Sequence, residues 1–120
     1  MNKREIGNAG ESAVCAFLTG RGYEIAERNY TVRGGEIDII ASKNGVLVFC
    51  EVKLRKEGAA VSGEEAVTPA KQQCLIAAAE RYISELDEPM EARFDVAAVE
   101  VKKNGKLSLR YYVSAFDASK

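Results

Sequence analysis

The chain has 120 residues, 47% of them apolar and 29% charged, enough for one hydrophobic core and too little for two. Seventeen Lys and Arg against eighteen Asp and Glu leave a net charge of −1 and no global basic field, and the absence of histidine excludes serine triads and His-bearing zinc sites. The longest apolar run, Val46 to Cys50, falls far short of the ~20 residues that span a bilayer, and no apolar signal segment follows MNKREIGNAGES, so a single cytoplasmic domain over 1–120, with no membrane partner, is expected.

Asn2 and Glu5 resemble a capping box, and Ile6, Gly10, Ala13, Val14, Phe17 and Leu18 then recur at helical spacing until Gly20 and Gly22 stop the pattern. Tyr23 to Val32 reads as a moderately polar first strand. Gly34-Gly35 breaks it, and Glu36 to Ser42 starts a second strand with Ile37, Ile39 and Ala41 on one face. Asn44-Gly45 predicts a type I′ hairpin, leading to Val46 to Leu54, a third strand apolar on both faces and therefore central. Residues 56–66 lack periodicity and read as a loop. Thr68-Pro69 starts a second helix with Leu75, Ile76, Ala79, Ile83 and Leu86 as its buried stripe. Arg93 to Val101 and Leu107 to Val113 are two further strands joined through Asn104-Gly105. The order α-β-β-β-α-β-β predicts a mixed sheet with helices packed over it. Cys15, Cys50 and Cys74, odd in number and set among apolar residues, read as reduced core residues.

The second and third strands carry four charges inside apolar runs: Glu36 and Asp38, Glu51 and Lys53. Residues two apart on a strand share a face, and a turn pairing 43 with 46 places Asp38 opposite Glu51 and Glu36 opposite Lys53. Two carboxylates held together repel unless a cation lies between them, and carboxylate oxygens are the ligands that Mg2+ and Mn2+ prefer. Lys53 beside such a cation is placed to position water or to steady phosphoryl charge, which is phosphodiester hydrolysis chemistry. Glu11, near Gly7 and Gly10 on the first helix, is a candidate further acid, and Gly34 and Gly35 are read as leaving room for a substrate backbone. Arg33, Arg55, Lys56, Lys71 and Gln72 are the candidate contacts to nucleic acid. Each charge also has a bland reading: Glu51 and Lys53 as a surface ion pair, Glu36 as a solvated strand start, and Asp95 as the partner of Arg93, the reading favoured for that acid.

The chain resembles the YraN-like bacterial proteins of the PD-(D/E)XK nuclease superfamily. The resemblance rests on GNAGESAVCAFLTGRGYEIAERNY, GEIDIIA, VFCEVKLR, VTPAKQQ and RFDVAAV, which together span nearly the whole chain. It implies an α/β, restriction-endonuclease-like αβββαβ core, with a mixed central sheet flanked by helices and an extra C-terminal strand. It also implies Asp38 and Glu51 as ligands of Mg2+ or Mn2+, Lys53 as the catalytic lysine and Glu11 as the acid from the first helix. Ile37 stands where the superfamily's name has proline. The expected function is Mg2+-dependent hydrolysis of DNA, branched or damaged DNA included, by a monomer or a homodimer. The alternative is a non-catalytic nucleic-acid-binding or accessory protein that keeps the nuclease-like fold.

Overall fold

Asn2 opens helix α1 (Lys3–Gly20) as expected: its side chain accepts the Glu5 N–H at 2.8 Å, and the helix buries Gly10, Val14 and Leu18. Gly22, at φ 91°, turns the chain out of the helix toward β1 (Glu24–Val32), which is followed by β2 (Gly35–Lys43) and β3 (Val46–Lys56). Asn44 and Gly45 have φ of 51° and 79°, the paired positive values of the type I′ turn. The computed structural model describes residues 2–58 and 67–117. Of the loop expected over 56–66, Lys56 ends β3 and 59–66 lie outside the described residues.

Thr68 caps α2 (Pro69–Ser84) by accepting the Lys71 N–H at 3.2 Å, with Pro69 in the first turn where a missing donor costs nothing. The chain then forms β4 (Glu91–Val101) and β5 (Leu107–Phe116). The five strands lie in the order β1-β2-β3-β4-β5, with β3 and β4 parallel and the other neighbours antiparallel. The parallel pair follows from the crossover through α2. On one face, Val14 and Leu18 of α1 pack over Ile39, Ala41, Val48, Cys50, Ala97 and Val99. On the other, Leu75, Ile76, Ala78 and Ala79 of α2 pack over Ile37, Ile40, Leu47, Phe49, Phe94 and Val96. Each large side chain fully buried in these layers contributes about 1.5–3 kcal/mol. The central position of β3 and the element order are as expected. Among the described residues no helix is long and apolar enough to cross a membrane.

Three expectations are corrected. Ile37, expected on the face of Ile39 and Ala41, packs in the opposite layer, so the alternation of β2 breaks at Asp38. The break coincides with Asn29, which lies between the pairs Arg28↔Ile39 and Tyr30↔Ile37 and has φ 53°. A left-handed residue turns the strand over, and Asn is among the few non-glycines that accept it. Gly35 leaves no room for a substrate: a Cβ there would collide with the Cys74 carbonyl of α2. Cys74 itself is exposed on that helix, Cys15 is half-buried, and only Cys50 is a core thiol, with burial raising its pKa.

Candidate active site

The β2–β3 ladder follows the predicted register from Lys43↔Val46 to Ile39↔Cys50 and ends one step short of Asp38 and Glu51. Where it ends, Asp38 Oδ2 reaches across and accepts the Val52 N–H at 2.8 Å. A side chain thus takes the place of a backbone carbonyl, and Asp38 is fixed beside β3. Its carboxyl group has as a neighbour that of Glu51, a residue only 4% exposed. Burial first, and then the neighbouring Glu51 carboxylate, push the Asp38 pKa up from 3.8 to about 8. Both effects favour the protonated form of Asp38. Two cations face Glu51: Lys53 Nζ lies 3.5 Å and Lys71 Nζ 3.6 Å from the same Oε2.

Asp38, Glu51 and Lys53 thus come together as the register predicts, and Lys71 joins them from the first turn of α2. Two devices hold that turn in place. Gln72 Nε2 donates to the Val67 carbonyl at 3.1 Å, so this expected nucleic-acid contact is engaged in pinning the helix entrance. The tight contact of Gly35 with Cys74 sets how close α2 lies to β2. Glu11 sits at the margin. It accepts from Asn29 Nδ2 at 3.1 Å and pairs with Arg28 at 3.6 Å, while its charge adds a smaller upward push on Asp38. Glu36, expected opposite Lys53, is exposed and accepts the Thr31 hydroxyl at 3.1 Å, because the strand has turned over before it. Arg33 is exposed in the turn between β1 and β2. Arg55 and Lys56 line a groove beside α1, with Arg55 on the same strand face as Glu51 and Lys53 by alternation along β3.

Asp95 offers the contrasting case. It is fully buried on β4, and Arg93 donates to both its oxygens, through Nε at 3.0 Å to Oδ1 and through Nη2 at 2.9 Å to Oδ2. The Tyr111 hydroxyl donates at 2.7 Å, and the Ser114 N–H at 2.9 Å. Arg93 donates in turn to the Tyr23 hydroxyl at 2.8 Å. The expected pairing with Arg93 holds; the two tyrosines could not be read from the sequence, since both come from elements distant along the chain.

The acid pair suits a hard divalent cation. Its donors are carboxylate oxygens, and among the described residues the cations paired with them are Lys53 and Lys71, both at Glu51. Among the described residues no group of three or more Asp, Glu, Cys or His side chains converges as a ligand set. An ion such as Mg2+ is one that takes one or two carboxylates and fills its shell with water and phosphate oxygens.

A five-stranded mixed sheet with α1 and α2 on opposite faces and an acid pair at the parting of β2 and β3 defines a restriction-endonuclease-like protein, carrying the added C-terminal strand β5. Residues 10–99 match the family described as "Uncharacterised protein family UPF0102", and the chain belongs to that YraN-like family. It is 47% identical over 116 residues to a UPF0102 protein of Symbiobacterium thermophilum, covering 96% of this chain and 98% of that one. A UPF0102 protein of Dictyoglomus thermophilum is 42% identical over 118 residues, covering 97% and 100%.

Proposed function

We propose that the protein is a Mg2+-dependent nuclease that hydrolyses phosphodiester bonds in DNA. One observation carries this reading: the half-buried Asp38 and the buried Glu51 bring their carboxyl groups together at the end of a strand ladder, with the Lys53 amine 3.5 Å from Glu51. Both lysines pair with Glu51, whereas Asp38 forms no ion pair among the described residues and has the Glu51 carboxylate as the neighbouring charge that raises its pKa. In this reading Asp38 and Glu51 would hold the cation with their oxygens, Asp38 giving up its proton to do so. The bound ion supplies Lewis acidity to a phosphoryl oxygen and acidifies water beside it. Lys53 donates to the attacking water or to a phosphate oxygen, and Lys71, at a helix N-terminus where anions are favoured, meets the phosphate from the other side. Arg33 adds a phosphate contact at the β1–β2 turn.

The test is incubation of the purified chain with end-labelled duplex, single-stranded and branched DNA in Mg2+, Mn2+ or EDTA. Cleavage should require the metal and fall by two orders of magnitude or more in Asp38→Asn, Glu51→Gln and Lys53→Ala, with DNA affinity changed only modestly, because many phosphate contacts share the ground-state binding. A chain that binds DNA but cleaves none of these substrates with either metal is the accessory protein instead.

A further inference from the structure

The sheet-facing stripe of α1 does not touch the sheet evenly. A Cβ on Gly10 would meet Leu54 Cδ2 at 2.8 Å, whereas one on Gly7, a turn earlier, would meet nothing within 4 Å. Helix and sheet therefore part toward the helix N-terminus, leaving a groove of about 640 Å3 with Ile6, Leu54 and Val101 in its floor. Its rim is basic. Lys3 contributes from α1, Arg55 and Lys56 from the end of β3, and Lys102 and Lys103 from the start of the β4–β5 connection, against Glu57, the one acid in the lining among the described residues. Lys102 is engaged by Glu100 at 2.7 Å and Arg55 by the Leu54 carbonyl at 3.0 Å. Lys3, Lys56 and Lys103 form no ion pair among the described residues.

On a chain of net charge −1, this rim gathers positive charge around apolar ground. We propose that the groove docks an acidic peptide segment of a partner protein, its apolar side chains seated on Ile6, Leu54 and Val101 and its carboxylates meeting Lys3, Lys56 and Lys103. The rim selects an anion, and the floor selects which kind. Single-stranded DNA binds where bases can stack on aromatic faces, and among the described residues no aromatic side chain lines this groove. An aliphatic floor suits side-chain anchors, the elements that carry most of the energy of small protein interfaces. The groove lies on the α1 side of the sheet, whereas Lys71 of α2 meets Glu51 on the other, so docking here is separate from the acid pair.

The probe is a fluorescein-labelled peptide, Asp-Asp-Leu-Asp-Asp-Leu-Phe, titrated with the full chain and followed by anisotropy. A second peptide with serine in place of Leu and Phe, and a labelled oligothymidine, serve as comparisons. The expected result is saturable binding of the apolar peptide that drops at least tenfold for the serine peptide and for Lys3→Glu/Lys56→Glu. Binding should be unchanged in Asp38→Asn, and amide shifts in isotope-labelled protein should centre on Ile6, Leu54 and Val101. The two lysines are exposed, so their reversal tests the rim without touching the core. Equal binding of the serine peptide, shifts centred elsewhere, no saturable binding, or a double variant that loses oligothymidine and keeps the peptide would each overturn the proposal.

Discussion

Asp95 on β4 and Asp38 on β2 both stand beside an irregularity in their ladders, and each accepts a backbone N–H across it, from Ser114 and Val52. Their remaining neighbours differ. Asp95 has a guanidinium on both oxygens and a tyrosine hydroxyl, and its charge raises the pKa of Arg93 while burial, Cys50 and Asp95 raise that of Tyr111. Asp38 has Glu51. Burial alone therefore does not tell whether an acid has been answered by its surroundings, since the more deeply buried of the two is the one fully answered. What distinguishes them is whether the nearest charge cancels the carboxylate or opposes it.

The contrast breaks most visibly at Arg93. Arg93→Ala leaves Asp95 buried without its counter-ion, and such a loss costs about 3–5 kcal/mol, read as a lower denaturation midpoint in urea. If that variant is as stable as wild type, the Asp95 network is not what holds β4 against β5. Gly35→Ala should cost less, about 1–3 kcal/mol, because the added methyl pushes α2 off β2. It should also lower any cleavage, since Lys71 moves with the helix.

At Asp38 the sign reverses. Its pKa lies at about 8 in the fold and at 3.8 as the ordinary value, so between these two the folded state binds more protons than the unfolded chain. Its contribution to stability is full below the lower value and lost as pH rises through the upper one. In EDTA, wild type should lose stability from about pH 5 to about pH 9, and Asp38→Asn should flatten that slope and be the more stable by about 1 kcal/mol at the alkaline end. Millimolar Mg2+ should restore wild type and leave the variant unmoved in a thermal melt. A variant less stable than wild type at alkaline pH would make Asp38 a structural partner like Asp95. The smallest effect belongs to Glu36→Gln, expected within about 0.5 kcal/mol of wild type and without effect on cleavage, because Glu36 is exposed and outside the pair.

How far the site could be read from the sequence follows the range of its causes. The Asn44-Gly45 turn is local, and it fixes the register that carries Asp38 toward Glu51 over five residue pairs. The same register fails at Glu36 and misplaces Ile37, because Asn29 on the neighbouring strand takes a left-handed conformation that leaves no periodic trace in ERNYTV. Lys71 is legible as a first-turn helix residue and illegible as a neighbour of Glu51. That meeting depends on how α2 docks on β2, which is decided by a glycine far back in the chain. Cys74 was readable in principle: it falls out of phase with Leu75, Ile76 and Ala79, and the stripe itself marks it as outward-facing.

The contact between Gly35 and the Cys74 carbonyl has a bearing on tolerance to change. Side chains set most distances between a helix and a sheet, so the spacing drifts as core residues are exchanged. Here main chain abuts main chain, and the spacing is written in atoms that every sequence shares. The α2 layer can be repacked at Leu75, Ile76 or Ala79 without altering the stop against which the helix rests. The separation of Lys71 from Glu51 is thereby insulated from substitutions in the core around it, and made to depend on the one position where any side chain at all would be too large.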